Sequence, residues 1–104
     1  MLKEIGLIGL GVMGKNIALN LSEKGVVIKG FNKSKDKLNE INEEFSHNFE
    51  GFTDLDELMK NLSVPRTILL MVPSGEATRE VIEKISNSLE ENDIVIDGGN
   101  SYYF

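Results

Sequence analysis

The chain has 104 residues, 40% of them hydrophobic and 27% charged, enough for one domain with a modest core. A net charge of −6 argues against nucleic acid or an anionic membrane as a partner. The absence of cysteine excludes disulfides, thiolate nucleophiles and thiolate metal sites, and no metal site is expected.

Strand and helix signals alternate along the chain. Ile5–Ile8 reads as a first strand and runs directly into Gly9-Leu10-Gly11-Val12-Met13-Gly14. Such a GxGxxG turn between a strand and a helix is a dinucleotide fingerprint. The first glycine allows a tight turn, the second lets backbone approach a pyrophosphate, and the third lets the helix pack on the strand. A helix is predicted from Met13 to Lys24, with Met13, Ile17 and Leu21 on its apolar face and Gly25 as its stop. Val26–Phe31 is a second, β-branched strand, and Ser34 is placed to cap a polar helix from Lys35 to about Phe45. Phe49–Phe52 is the weakest strand signal. Asp54–Leu62 reads as a short helix with Leu55, Leu58, Met59 and Leu62 on its apolar side.

The apolar run Thr67–Val72 predicts a strand buried on both faces, closed by Pro73. A helix from about Glu76 to Leu89 turns Val81, Ile82, Ile85 and Leu89 inward, and Asp93–Asp97 is the last strand, ended by Gly98-Gly99. The alternation predicts one α/β domain over residues 1–104. Its fold is Rossmann-type and doubly wound, a mainly parallel sheet with helices on both faces. No run approaches a membrane span, and the first strand begins so early that no leader is expected, which makes cytoplasm the default location.

In such sheets ligands bind outside the carboxyl ends of the strands. The unusual residues cluster at four predicted ends: Gly9–Gly14, Asn32-Lys33-Ser34, Pro73-Ser74-Gly75 and Gly98-Gly99-Asn100-Ser101. NAD sites usually carry an acid about 20 residues beyond the glycines, to accept from the ribose 2′-hydroxyl. Asn32 stands there, 21 residues after Gly11, and Asn32, Lys33 and Ser34 offer donors and one positive charge. That favours NADP over NAD, although the same residues suit a polar turn capping the next helix. Pro73-Ser74-Gly75 is equally readable as a strand stop, and Gly98–Ser101 as a loop whose Asn100 amide both donates and accepts. His47 reads as an exposed loop residue, Glu43-Glu44 and Glu90-Glu91 as solvated helix ends, Met13 and Met59 as core positions, and Asp97 as a loop anchor.

Together, Gly9–Gly14, Asn32-Lys33-Ser34, Met71-Val72-Pro73-Ser74-Gly75 and Ile96-Asp97-Gly98-Gly99-Asn100-Ser101 resemble the coenzyme domain of the 6-phosphogluconate dehydrogenase family, over essentially the whole chain. Members oxidise 6-phosphogluconate at C3 with NADP and decarboxylate the 3-keto intermediate to ribulose 5-phosphate, in the pentose phosphate pathway. The resemblance implies that Gly9, Leu10, Gly11, Val12, Met13 and Gly14 hold the pyrophosphate, and Asn32, Lys33 and Ser34 the 2′-phosphate. It places Val72, Pro73 and Ser74 on the nicotinamide side, Asn100 between coenzyme and substrate, and Ser101 in support of that loop. Lys33 and Pro73-Ser74 stand where the family commonly has Arg and Lys-Ala. The family's catalytic lysine and its helical domain, which carries the dimer contact, lie beyond Phe104. The chain is therefore expected to be an excised or truncated coenzyme domain, inactive alone, from a homo-oligomeric enzyme. A β-hydroxyacid dehydrogenase domain and a non-catalytic nucleotide-binding module are the alternatives.

Overall fold

A computed structural model describes residues 3–9, 11–44, 48–72, 75–97 and 100–104, and at 12, 75, 77 and 100–102 the backbone alone. In chain order the elements are β1 (Glu4–Ile8), α1 (Val12–Glu23), β2 (Val27–Phe31), α2 (Lys35–Glu44), β3 (Phe49–Phe52), α3 (Leu55–Asn61), β4 (Thr67–Leu70), α4 (Gly75–Ile85), β5 (Ile94–Asp97) and β6 (Asn100–Tyr103). The strands form one sheet in the order β3-β2-β1-β4-β5-β6, with β1 to β5 parallel and β6 antiparallel to β5. Strand order reverses between β1 and β4, and their carboxyl ends bound the crevice where such sheets take ligands.

Period-two alternation divides the core between the two faces of the sheet. On one face Ile5, Leu7 and Ile28 pack with Ala18 of α1 and with Leu38 and Ile41 of α2. On the other, Ile8, Ile68, Leu70 and Val95 pack with Leu58 and Met59 of α3 and Ile85 of α4. The residues of β4 alternate between these faces, Ile68 and Leu70 toward α3 and α4, Leu69 toward α1 and α2. That is the two-sided burial expected of its apolar run.

Local sequence signals set most element ends. Gly25, at φ +88°, follows the last turn of α1, where its N–H donates to Ser22 O and that of Val26 to Leu21 O. This pair of bonds closes a helix through a left-handed glycine. Ser34 Oγ accepts from Lys37 N–H at 3.2 Å, and Asp54 Oδ1 from Asp56 N–H at 3.2 Å, capping α2 and α3.

Several expectations are corrected. Met13 is 69% exposed and belongs to no core, whereas Met59 is fully buried. The buried positions of α1 are Gly14 and Ala18, four residues apart, because small residues let the helix axis come close, and Leu21, expected on the apolar face, packs half-buried against the same cluster. β4 ends at Leu70 rather than Val72, although Met71 N–H still donates to Ile8 O at 2.8 Å. α4 ends at Ile85 and passes into a single 3-10 turn, Ser86–Ser88, where Ser86 Oγ donates to Glu83 O. Short polar side chains that bond nearby backbone weaken a helix in this way. Asn100 and Ser101, expected in a loop, begin β6, opposite Asp97 and Ile96. A Gly-Gly pair between two β-rich runs is itself a hairpin signal, and it outweighs the loop reading.

One interaction has no counterpart in the sequence reading. Arg66 and Asp93, just before β4 and β5, form a buried ion pair at 2.9 Å. Asp93 Oδ1 also accepts from Arg66 N–H at 2.6 Å and Oδ2 from Glu90 N–H at 2.9 Å. The guanidinium donates further to Met59 O and Ser88 O. Burial pushes the Asp93 carboxyl up, but those backbone amides and the guanidinium outweigh it and hold it below its ordinary value.

Candidate functional site

Register places Ile8, Phe31, Leu70 and Asp97 in one row across the sheet. The loops that follow them therefore leave the same edge. This is how four segments far apart in sequence come together.

The three glycines of the first loop do different work. Gly9 has φ +101°, and a Cβ there would lie 2.4 Å from Met71 O. At Gly14 a Cβ would lie 2.4 Å from Gly9 O, so helix, turn and strand leave no room for a side chain. Gly11 differs from both. Its backbone, at φ −73° and ψ −173°, suits any residue, and a Cβ built on it meets nothing within 4 Å. Packing and conformation explain the first and third glycines but not the second.

Gly11 is also the N-cap of α1. It supplies no side-chain hydrogen bond, and the first turn of α1 carries no acidic residue. The first intrahelical bond in this turn runs from Lys15 N–H to Gly11 O, at 2.8 Å. Amide groups ahead of it point out of a helix with the positive end of its dipole, which suits an anion.

Beyond β2, Asn32 Oδ1 accepts from Ser34 N–H at 2.9 Å, while Ser34 Oγ caps α2. The turn thus builds itself from its own polar groups. Among the described residues the Asn32 amide nitrogen and the Lys33 ammonium have no partner, which leaves them for an outside acceptor, and Lys33 is exposed. A cleft of about 320 Å³ lies against this turn and brings together Gly9, Asn32, Lys33 and Val72. Phe31, Leu55 and Val81 give it apolar walls, and Glu80 and Lys84 reach it from α4.

Among the residues expected at the site, Gly9, Asn32, Lys33 and Val72 line this cleft, and Gly11, Met13, Gly14 and Ser34 stand beside it at the same edge. Val12 opens α1, and Asn100 and Ser101 open β6 next to Asp97. Leu10, Pro73, Ser74, Gly98 and Gly99 lie outside the described residues, as does His47. Sequence reading missed Glu80 and Lys84. Their signal was helical spacing, since Glu80 and Lys84 are four apart and flank Val81, which periodicity had already turned inward. Among the described residues, no group of three or more His, Asp or Glu could hold a metal ion. No described helix is long and apolar enough to cross a membrane.

Residues 4–104 match the family described as the NAD binding domain of 6-phosphogluconate dehydrogenase. The chain is 44% identical over 102 residues to the NADP(+)-dependent, decarboxylating 6-phosphogluconate dehydrogenase of Bacillus subtilis, covering 97% of this chain and 22% of that protein. It is 38% identical over 104 residues to the NAD(+)-dependent enzyme of the same organism, covering 99% of this chain and 22% of that protein. Among solved structures, Plasmodium falciparum 6-phosphogluconate dehydrogenase superposes with a TM-score of 0.81 at 39% identity, over 96% of this chain and 22% of that one. The chain thus spans about a fifth of the length of the relatives it matches. With a match that runs over residues 4–104, the chain belongs to the family of NAD-binding domains of 6-phosphogluconate dehydrogenase.

Proposed function

We propose that this chain is the coenzyme-binding domain of a decarboxylating 6-phosphogluconate dehydrogenase, and that its coenzyme is NADP. The observation that carries the coenzyme site is Gly11, a glycine that neither packing nor backbone angle requires. A ligand pressed against the backbone accounts for it. The pyrophosphate lies on the amides that open α1, within the turn Gly9–Gly14. Lys33, the Asn32 amide and the Ser34 hydroxyl face the 2′-phosphate, and the absence of an acid at the end of β2 favours that group over a free ribose hydroxyl. Relatives with each coenzyme preference match the chain, so this polar turn is the local feature that decides between them.

Val72, with Pro73 and Ser74, serves the nicotinamide side. Asn100 and Ser101 serve coenzyme and substrate from the amino end of β6, which register places at the same edge. NADP+ supplies the hydride acceptor for oxidation at C3 of 6-phosphogluconate. Residues outside this chain supply proton transfer and the rest of the substrate site, so the 104 residues alone bind coenzyme without turnover. The complete protein acts in the cytoplasm as a homo-oligomer, without nucleic acid or membrane as a partner.

Parallel calorimetric titrations with NADP+ and NAD+ test the reading. NADP+ should bind more tightly, and Lys33→Ala should weaken it about three- to tenfold while leaving NAD+ nearly unchanged. Equal or tighter binding of NAD+ overturns the 2′-phosphate assignment. Ribulose 5-phosphate formed by the chain alone overturns the division of labour.

A further inference from the structure

Lys33 comes from the loop after β2 and Lys84 from the last turn of α4, yet both line the same cleft. They also line a second cleft of about 360 Å³ that shares a wall with the first. Among the described residues neither lysine has an ion-pair partner, whereas Lys15, Lys29 and Arg66 each pair with a carboxylate. In a chain of net charge −6, two cations that are unpaired among the described residues converge on one small cleft whose lining holds a single carboxylate, Glu80.

The chemistry at the end of β2 needs such help. Lys33 is a point charge and lacks the planar fork that lets one Arg grip a phosphate with two bonds. Asn32 already spends its carbonyl oxygen on Ser34 N–H. Acids crowd the neighbourhood as well, with Glu80 in the first cleft and Asp54 and Asp56 in the second. A dianionic group held by Lys33 alone would face these carboxylates with little net attraction.

We propose that Lys84 is a second specificity-determining cation for the phosphate on the adenosine ribose, acting across the cleft from Lys33. This rests on reading the cleft as an NADP site. Selectivity is then shared between a loop residue and a helix residue, and α4 contributes charge where its neighbour Val81 contributes an apolar wall. Lys84 also lies in the last turn of α4, where a cation suits the helix dipole.

The test titrates the 104-residue chain with adenosine 2′,5′-bisphosphate and with adenosine 5′-monophosphate, and reads the ratio of the two affinities. Lys84→Gln should lower that ratio about three- to fivefold at low salt, and less at 1 M salt, where screening leaves little of the interaction. Lys84→Arg should restore it. Lys60→Gln, which removes an exposed lysine of α3 outside both clefts, should leave the ratio unchanged. An unchanged ratio in Lys84→Gln, or an equal fall in Lys60→Gln, overturns the role of Lys84 while the NADP reading stands. A wild-type ratio near one overturns the NADP reading and the role of Lys84 with it.

Discussion

The two edges of this sheet treat charge in opposite ways. At the amino edge Arg66 and Asp93 are buried against each other, the guanidinium donating also to Met59 O and Ser88 O and the carboxylate accepting from Arg66 N–H and Glu90 N–H. Glu4 is engaged similarly, pairing with Lys29 and accepting from Ser63 N–H at 2.7 Å. At the carboxyl edge the helix amides of α1 have no side-chain cap, and Lys33 and Lys84 have no ion-pair partner among the described residues. Charges satisfied within the chain hold the fold, whereas Lys33 and Lys84, which share a cleft, are the ones we assign to a ligand. Counting charged residues would not separate the two groups, because what differs is whether a partner is already in place.

The largest expected effect breaks the amino edge. Asp93→Ala leaves the Arg66 guanidinium buried without its carboxylate and should cost about 3–5 kcal/mol by urea denaturation. That is a large share of a stability near 5–15 kcal/mol. Coenzyme affinity of the remaining folded protein should be unchanged. A parallel loss of affinity would show that the edges are coupled.

Next comes the contrast within the glycine turn. Gly9→Ala places a Cβ against Met71 backbone at positive φ and should lower stability by about 2–4 kcal/mol. At Gly11 a Cβ meets nothing within 4 Å, so Gly11→Val should stay within about 1 kcal/mol of wild type. Its coenzyme affinity should nevertheless fall at least about tenfold, or roughly 1.4 kcal/mol. Gly11→Val that binds normally would remove the principal support for a pyrophosphate at this turn.

A smaller effect is the response to acid. The folded-state pKa of Asp93 lies below its unfolded value, so its ionised form stabilises the fold. This contribution is complete above the ordinary aspartate range near pH 4, and it is lost as pH falls through the lower folded value. Stability measured from pH 6 down to pH 2 should therefore decline below about pH 4, and the decline should be shallower in Asp93→Asn. Equal slopes in both proteins would assign the acid response to other carboxylates.

Much of the carboxyl edge was legible beforehand because its signals are local. A glycine turn between strand and helix, a Ser cap ahead of Lys35, and the missing acid after β2 each occupy a few adjacent residues. The amino edge left no such trace. Arg66 and Asp93 are 27 positions apart, and each resembles an ordinary charged residue bordering a strand. They meet because β4 and β5 are neighbours in parallel register, which places Thr67 beside Ile94 and so brings the preceding residues together.

Lys84 illustrates the same limit at the site itself. Periodicity places it on a helix and says nothing of which loop that helix faces. Its approach to Lys33 depends on the crossover from β4, which carries α4 to the same face of the sheet as α3. Met13 differs for a related reason: helical spacing puts Met13 on the apolar face with Ile17 and Leu21, but close packing against Gly9 and Met71 gives that place to Gly14. Element type, glycine spacing and the likeness to a coenzyme domain are properties of short stretches and can be read along the chain. Which charges are buried together, which stay open, and which glycine packing leaves unexplained are settled by contacts between distant stretches, and those exist only once the sheet has closed its order.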